Sequence, residues 1–284
     1  MLPVQPRPSA GPRLIASGVV AAPALKKRLG QHHLVHPGLC SPAVEFLRPA
    51  GEPVVEIGPG GGVLTRELLA AGAARVLAWE VDLDWVFALR RRTPDRRLRL
   101  VAGDALELPW ERLPAPALVA GNLPYSAATA LIERLLPHHR RVPRAAFLVQ
   151  LEVAERLLAR PGDPAYGSLS VVVAAFAAPR LLARVSRGSF RPPPRVDGAF
   201  VGLELQPPPL PDAAMSEFIR FVRAAFSLRR KTLRNALAAT CGRERTAAAL
   251  AALGLRPDAR AEQLDLETFV SLERSLRNPD DLKP

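Results

Sequence analysis

The chain has no apolar run long enough to cross a membrane as a helix, which takes about 18 consecutive apolar residues. Its best candidate, Leu169 to Ala178, is short, stops at Pro179 and reads as a buried strand. Cysteine is scarce: Cys40 and Cys241 lie far apart, form no metal-ligand spacing and read as free thiols in a reducing compartment. There is no internal repeat and no secretory apolar core. The first 24 residues hold no acid, only two arginines, and are broken by Pro3, Pro6, Pro8 and Pro12. Without a sustained amphipathic pattern they read as a loose tail and not as an organelle transit peptide. Acids are also missing from Phe218 to Arg243, a stretch that carries Arg220, Arg223, Arg229, Arg230, Lys231, Arg234 and Arg243. That is a one-sided field and not a mixed solvated face. With a net charge of +12, such a surface can displace counterions from phosphates. The competing reading is a compositional bias toward Arg, Ala and Pro.

What is present is an ordinary globular balance, 48% hydrophobic and 23% charged, in 284 residues. That length accommodates one larger domain and one smaller one. From Val54 onward, strand-like runs alternate with helical ones. Strands are expected at 53–57, 75–79, 98–102, 118–121, 145–150, 169–176 and 199–205, with helices at 63–71 and 84–92 between them. The expected fold class is α/β: a doubly wound, mainly parallel seven-stranded sheet, followed after Pro207-Pro208-Pro209 by a smaller C-terminal helical domain. The boundaries fall at a tail 1–24, a sheet domain 25–206 and a helical domain 207–284.

In such sheets ligands sit beyond the carboxyl ends of the strands, and the informative residues fall there. The turn Glu56-Ile57-Gly58-Pro59-Gly60-Gly61-Gly62 follows one strand and opens a helix. Its glycines let the backbone approach a ligand. Their Gly-x-Gly-x-Gly spacing differs from the Gly-x-Gly-x-x-Gly that presents a helix end to a pyrophosphate, which argues against a dinucleotide. Glu80 ends the second strand, where a carboxylate can accept both hydroxyls of a ribose; Asp104 follows the third, where it can accept from an adenine amino group. Together they suit a nucleoside ligand with a phosphate-free tail, as in S-adenosylmethionine. The fourth strand delivers Asn122-Leu123-Pro124-Tyr125. The Asn oxygen and a nearby main-chain carbonyl can accept from an exocyclic amino group, and the Tyr ring can stack on a base. Such a site works by positioning and electrostatics, without a general base at the start.

These segments resemble those of the small-subunit ribosomal RNA adenine dimethyltransferases, relatives of the macrolide-resistance ribosomal methyltransferases. The likeness runs from Lys26 to about Phe269. It is carried by Lys27 to Gln31, Glu56 to Gly62, Gly121 to Tyr125, Val149 to Arg156, Tyr166 to Ser170, Phe190 to Val196 and Arg229 to Asn235. The resemblance implies S-adenosylmethionine held by Gln31, His32, Leu34, Glu56, Gly58, Gly60, Gly62, Glu80, Asp104, Ala105 and Asn122, with no metal. It implies an acceptor site of Asn122, Leu123, Pro124, Tyr125 and Phe190, with the adenine stacked on Tyr125 and Phe190 closing its other face. Arg229, Arg230, Lys231 and Arg234 would grip RNA from a basic helix with no acids in reach.

The implied activity is N6-dimethylation of two adjacent adenines in a hairpin near the 3′ end of small-subunit RNA. It would act in the cytoplasm, as a monomer, on an assembling subunit, and on an unpaired or flipped base. Two departures stand out. Gln31 is followed by His32-His33-Leu34 where the family usually has Asn-Phe-Leu, and Leu151 replaces a commonly basic residue. The first predicts weakened or rearranged donor binding. His36 adds a third histidine nearby, but no carboxylate or thiolate spacing supports a metal. Tyr125, where the resistance enzymes usually carry Phe, favours the small-subunit branch. The alternatives are a large-subunit resistance methyltransferase and a non-catalytic RNA-binding assembly or transcription factor. Glu80, Asp104 and Asn122, all present, argue against the latter.

Overall fold

The computed structural model describes Pro23, residues 31–228 and residues 230–277. The expected tail (Pro23 apart), Lys27 to Gly30 and Arg229 lie outside the described residues. In chain order the strands are β1 (His33–Leu34), β2 (Pro53–Ile57), β3 (Arg75–Glu80), β4 (Leu98–Ala102) and β5 (Leu118–Asn122). They continue with β6 (Arg144–Gln150), β7 (Ala177–Val185), β8 (Phe190–Arg191) and β9 (Gly198–Leu205). The α-helices are α1 (Ser41–Leu47), α2 (Val63–Ala70), α3 (Leu83–Arg92), α4 (Ala128–Leu135), α5 (Leu151–Leu158) and α6 (Ser168–Phe176). Five more follow: α7 (Asp212–Phe226), α8 (Leu233–Ala236), α9 (Ala238–Cys241), α10 (Arg243–Ala252) and α11 (Leu266–Arg277).

Seven strands form one sheet in the order β4-β3-β2-β5-β6-β9-β7. The first five are parallel, and β9 runs antiparallel to both β6 and β7. Central β2 is buried from Val54 to Ile57, as a strand covered on both faces must be. Chain order reverses at β2, which pairs with β3 on one side and β5 on the other. That reversal opens a crevice at the carboxyl ends of β2 and β5, where open sheets place their ligands. Gly121 makes the crevice tight: a Cβ there would sit 2.6 Å from the Ile57 carbonyl oxygen.

Two sequence expectations fail here. Residues 169–176 are not the sixth strand but most of helix α6; the strand lies just beyond, in β7. Nearly every side chain of α6 is buried, so the run carries no 3.6-residue polar stripe to betray a helix. Its first turn is held by Gly167 N donating to Ser170 Oγ at 3.1 Å. Pro179 then sits inside β7, at the sheet edge, where a missing ladder donor is tolerated. The second failure is the basic helix at Arg229–Arg234. Arg230 and Lys231 lie in the turn between α7 and α8, and Arg234 alone among the described basic residues of this group is helical.

One buried cluster runs from Val119 and Phe147 in the sheet through Val172 and Phe176 of α6 to Phe218 and Phe269 of the C-terminal helices. Tyr166 stitches the same junction, donating its hydroxyl to the Leu264 carbonyl at 2.7 Å. A second cluster, on the other face, joins Leu34, Leu64, Leu68 and Phe200 to Phe190.

Candidate active site

The crevice holds a cleft open to solvent, with about 740 Å³ of empty space that merges with bulk water. Of the residues expected around a donor, Gln31, His32, Gly58, Gly60, Glu80, Asp104, Ala105 and Asn122 line it. So do Leu123, Pro124 and Tyr125. Glu56 instead lines a smaller adjoining cavity that shares Gly58 and Asn122 with the cleft. Leu34 also borders that cavity from the second core cluster, and Gly62 lines neither.

Glu80 is set at the end of β3, 6% exposed, and its two oxygens are both engaged. One accepts from Gly60 N at 3.1 Å and the other from Asp82 N at 2.9 Å. Burial raises its pKa above the usual carboxylate range, while those two N–H groups oppose the rise. The carboxylate therefore ties the glycine turn to the start of α3 and still faces the cleft. Gly60 has φ +49, and a Cβ there would lie 2.3 Å from the His33 ring. Backbone conformation and close approach thus both require glycine.

His33 was missed by sequence reasoning, which read Gln31, His32 and Leu34 around it. Its Nδ1 accepts from Gly61 N at 3.2 Å, and its ring packs on Trp85 with centroids 4.4 Å apart. Burial, with His32 beside it, lowers its pKa to about 4 despite nearby Asp82, so it stands neutral under the glycine turn. Trp79 and Val81, which flank Glu80, also line the cleft and were missed. Val81 is 51% exposed, and its place directly after a strand-end acid was the available signal.

Glu56 is a carboxyl in the middle of a buried strand, 1% exposed, with Oε2 unpaired among the described residues. Burial pushes its pKa up to about 7; the Glu80 carboxylate adds to the rise, and Thr65 and Arg66 oppose it. Asp104 is exposed at the cleft rim and spends one oxygen accepting from Leu106 N at 2.9 Å, leaving the other for a ligand. Gln31 Nε2 donates to Asp82 Oδ2 at 3.0 Å, so the chain enters the site across the start of α3.

The acceptor side is built differently. Asn122 ends β5, and its Nδ2 donates to the main-chain carbonyl of His32 at 2.8 Å. That bond fixes the amide orientation: Oδ1, an acceptor, is left for the cleft. Tyr125 lies three residues beyond the end of β5, and its hydroxyl has no partner among the described residues. Burial raises the phenol to about 12, with Asp197 adding to the rise, so it stays protonated. The His32 ring stacks on Tyr125, centroids 5.4 Å apart and planes inclined by 27°.

Phe190 does not line the cleft. It is fully buried (0%) in β8, which pairs antiparallel with β1, Leu34 opposite Phe190 and His33 opposite Arg191. It anchors β1, the strand that carries His33 and directly follows His32, and its ring is buried in the second core cluster with Leu34 instead of closing over a base. The basic residues are also sorted by the structure. Arg234 reaches Glu244 at 3.5 Å, Arg223 reaches Glu133 at 3.0 Å and Arg220 reaches Glu217 at 3.8 Å, so acids are within reach after all. Arg230 and Lys231 are exposed and have no carboxylate partner among the described residues.

A family model described as ribosomal RNA adenine dimethylase matches residues 23–278. A ribosomal RNA small subunit methyltransferase A from Synechococcus sp. (strain JA-3-3Ab) is 43% identical over 260 residues, spanning 88% of this chain and 92% of that protein. Among solved structures, a dimethyladenosine transferase from Plasmodium falciparum superposes with a TM-score of 0.72 at 25% identity, over 87% of this chain and 98% of that one. The 23S rRNA methyltransferase ErmE gives 0.67 at 28% identity, over 86% and 99%.

Proposed function

The chain belongs to the ribosomal RNA adenine dimethylase family, and from that premise we propose how its cleft dimethylates N6 of two adjacent adenines in the 3′-terminal hairpin of small-subunit RNA. The reading extends to an assembling small subunit as the working substrate, a cytoplasmic setting and a monomeric enzyme. One observation carries it: the Asn122 amide, locked by the His32 carbonyl, leaves an acceptor oxygen beside the Tyr125 ring in a cleft that also holds Glu80 and Asp104.

The residues present suit S-adenosylmethionine, because the cleft offers a buried strand-end carboxylate, a glycine turn with no room for a Cβ and a rim acid with a spare oxygen. Bound there, that cofactor supplies an electrophilic sulfonium methyl. Glu80 suits the ribose hydroxyls, Asp104 the adenine amino group, and Val81 and Trp79 offer apolar surface to the donor's ring. On the acceptor side Tyr125 stacks the target base, an interaction of about 1–3 kcal/mol per base. Asn122 Oδ1 accepts from the amino group and draws its lone pair out of conjugation with the ring. The amine becomes acidic once methylated and loses its proton afterwards, so no residue has to act as base beforehand. Catalysis here is orientation plus electrostatics.

Arg230 and Lys231 give the turn between α7 and α8 two exposed cations, without a carboxylate partner among the described residues, for phosphate contacts. Arg234, paired with Glu244, contributes less. The test is Asn122→Ala, assayed for transfer to undermethylated small subunits and for subunit binding. Removing an acceptor aimed at developing charge costs about 10²- to 10³-fold in rate. Transfer should fall by that much while binding persists; equal loss of both would make Asn122 a structural residue and sink the reading.

A further inference from the structure

We propose that the His32 side chain gates the acceptor slot: in the free protein its imidazole covers the face of Tyr125 on which the target adenine stacks, and a base enters only when it leaves. The inference rests on the reading of Tyr125 as the stacking residue and adds a second participant that selects what may stack there. It also moves His32 from the donor side of the cleft, where the family resemblance had placed it, to the acceptor side.

The geometry is direct. Stacked rings sit with centroids about 4.5–7 Å apart, so a 5.4 Å separation at 27° is a contact pair with no layer between. A base cannot lie on that face of Tyr125 until the imidazole moves. What holds the imidazole is modest. His32 Nδ1 is 2.8 Å from the Pro192 carbonyl oxygen; a carbonyl only accepts, so Nδ1 carries the proton and donates. Pro192 directly follows β8 and His32 directly precedes β1, its paired strand, so the ring is braced across that pairing. Among the described residues that hydrogen bond and the stack on Tyr125 are what brace the imidazole, and the residue is only half-buried.

The main chain of His32 does separate work. Its carbonyl holds the Asn122 amide whatever the side chain does, so the imidazole can swing without disturbing the acceptor oxygen. The arrangement divides one residue into a fixed anchor and a movable cover. A base already splayed out and positioned by surrounding RNA can displace the cover, whereas a free nucleotide, held by nothing else, competes against it poorly. The cover thus favours structured RNA over loose nucleotides.

The probe is 2-aminopurine ribonucleoside monophosphate, whose fluorescence is quenched on stacking, titrated into the protein with S-adenosylhomocysteine present. His32→Ala uncovers Tyr125 and should tighten this binding by about fivefold, the worth of one aromatic pair. Donor affinity, read by calorimetry with S-adenosylmethionine, should stay within about twofold. His32→Phe restores a ring without the Pro192 bond and should return nucleotide affinity toward the starting value. Tyr125→Ala should abolish quenching. Equal nucleotide affinity in the parent and His32→Ala overturns the gate while leaving Tyr125 as the stacking residue. Loss of donor binding in His32→Ala without a gain in nucleotide binding returns His32 to the donor side and also overturns it. Absence of quenching in both proteins removes the stacking reading itself, and the gate with it.

Discussion

The two halves of the cleft are made in opposite ways. On the donor half most functional groups are already tied to the protein: Glu80 accepts from Gly60 N and Asp82 N, His33 sits under Gly61, and Gln31 reaches Asp82, while Asp104 at the rim keeps one oxygen spare. Two of these four bonds come from backbone N–H groups of the glycine turn, which cannot accept a Cβ at Gly60. On the acceptor half a single amide is fixed, the Tyr125 hydroxyl has no partner among the described residues, and one aromatic face is covered by a half-exposed imidazole. A small, constant ligand suits a preformed pocket. A base that must be delivered by a large RNA suits a site that stays closed until delivery.

Breaking the acceptor half at Asn122 should cost the most, with transfer down about 10²- to 10³-fold and donor affinity preserved. Breaking the donor half comes next. Glu80→Gln removes a charged acceptor from the ribose, and hydrogen bonds to charged groups contribute about 1.5–3 kcal/mol. Donor affinity measured by calorimetry should fall about tenfold to a hundredfold, with subunit binding unaffected. Comparable losses on both measurements would show that the two halves are not separable.

The comparison sharpens further in the pH dependence of stability. Folded Glu56 keeps its proton up to about 7, against 4.5 for the ordinary group, so the folded state binds more protons in that window. Stability from this group is therefore full at low pH and is lost as pH rises through 7. His33 runs the other way: at about 4 folded against 6.5, it leaves the unfolded state with more protons, and stability rises with pH between those values. Glu56→Gln should leave the His33 rise and remove the Glu56 fall. The variant should thus gain stability relative to the parent as pH rises through 7, by roughly 3 kcal/mol at most. Urea denaturation at acid and alkaline pH checks it; parallel profiles for the two proteins would show that Glu56 titrates normally. The smallest effect belongs to Arg230→Ala with Lys231→Ala, which should weaken subunit binding and lower its salt slope by about two. An unchanged slope would remove this turn from the RNA contact.

How much of this was legible follows from where each residue sits. Glu80, Asp104 and Asn122 were readable because each ends or follows a short strand whose β-propensity and neighbouring glycines mark it. The Leu169–Phe176 run was not, because a helix buried on all sides loses the polar stripe that distinguishes it from a strand. Phe190 was misplaced because an aromatic before prolines can either cap a pocket or plug a core. Only the pairing of β8 with β1 decides, and that contact spans some 150 residues of chain. His33 escaped notice for the same reason, since its partners Gly61 and Trp85 lie far along the chain. The ion pairs of Arg223 with Glu133 and Arg234 with Glu244 are likewise tertiary, and a count of local acids missed them.

The central claim is the transfer of methyl groups to a particular pair of bases, and mass spectrometry of the RNA tests it directly. Undermethylated small subunits are incubated with the protein and isotope-labelled S-adenosylmethionine, and the RNA fragments are weighed. The account predicts two labelled methyls on each of two adjacent adenines in the 3′-terminal hairpin. Label confined to large-subunit RNA offered in the same reaction, or absent from both RNAs, would contradict it.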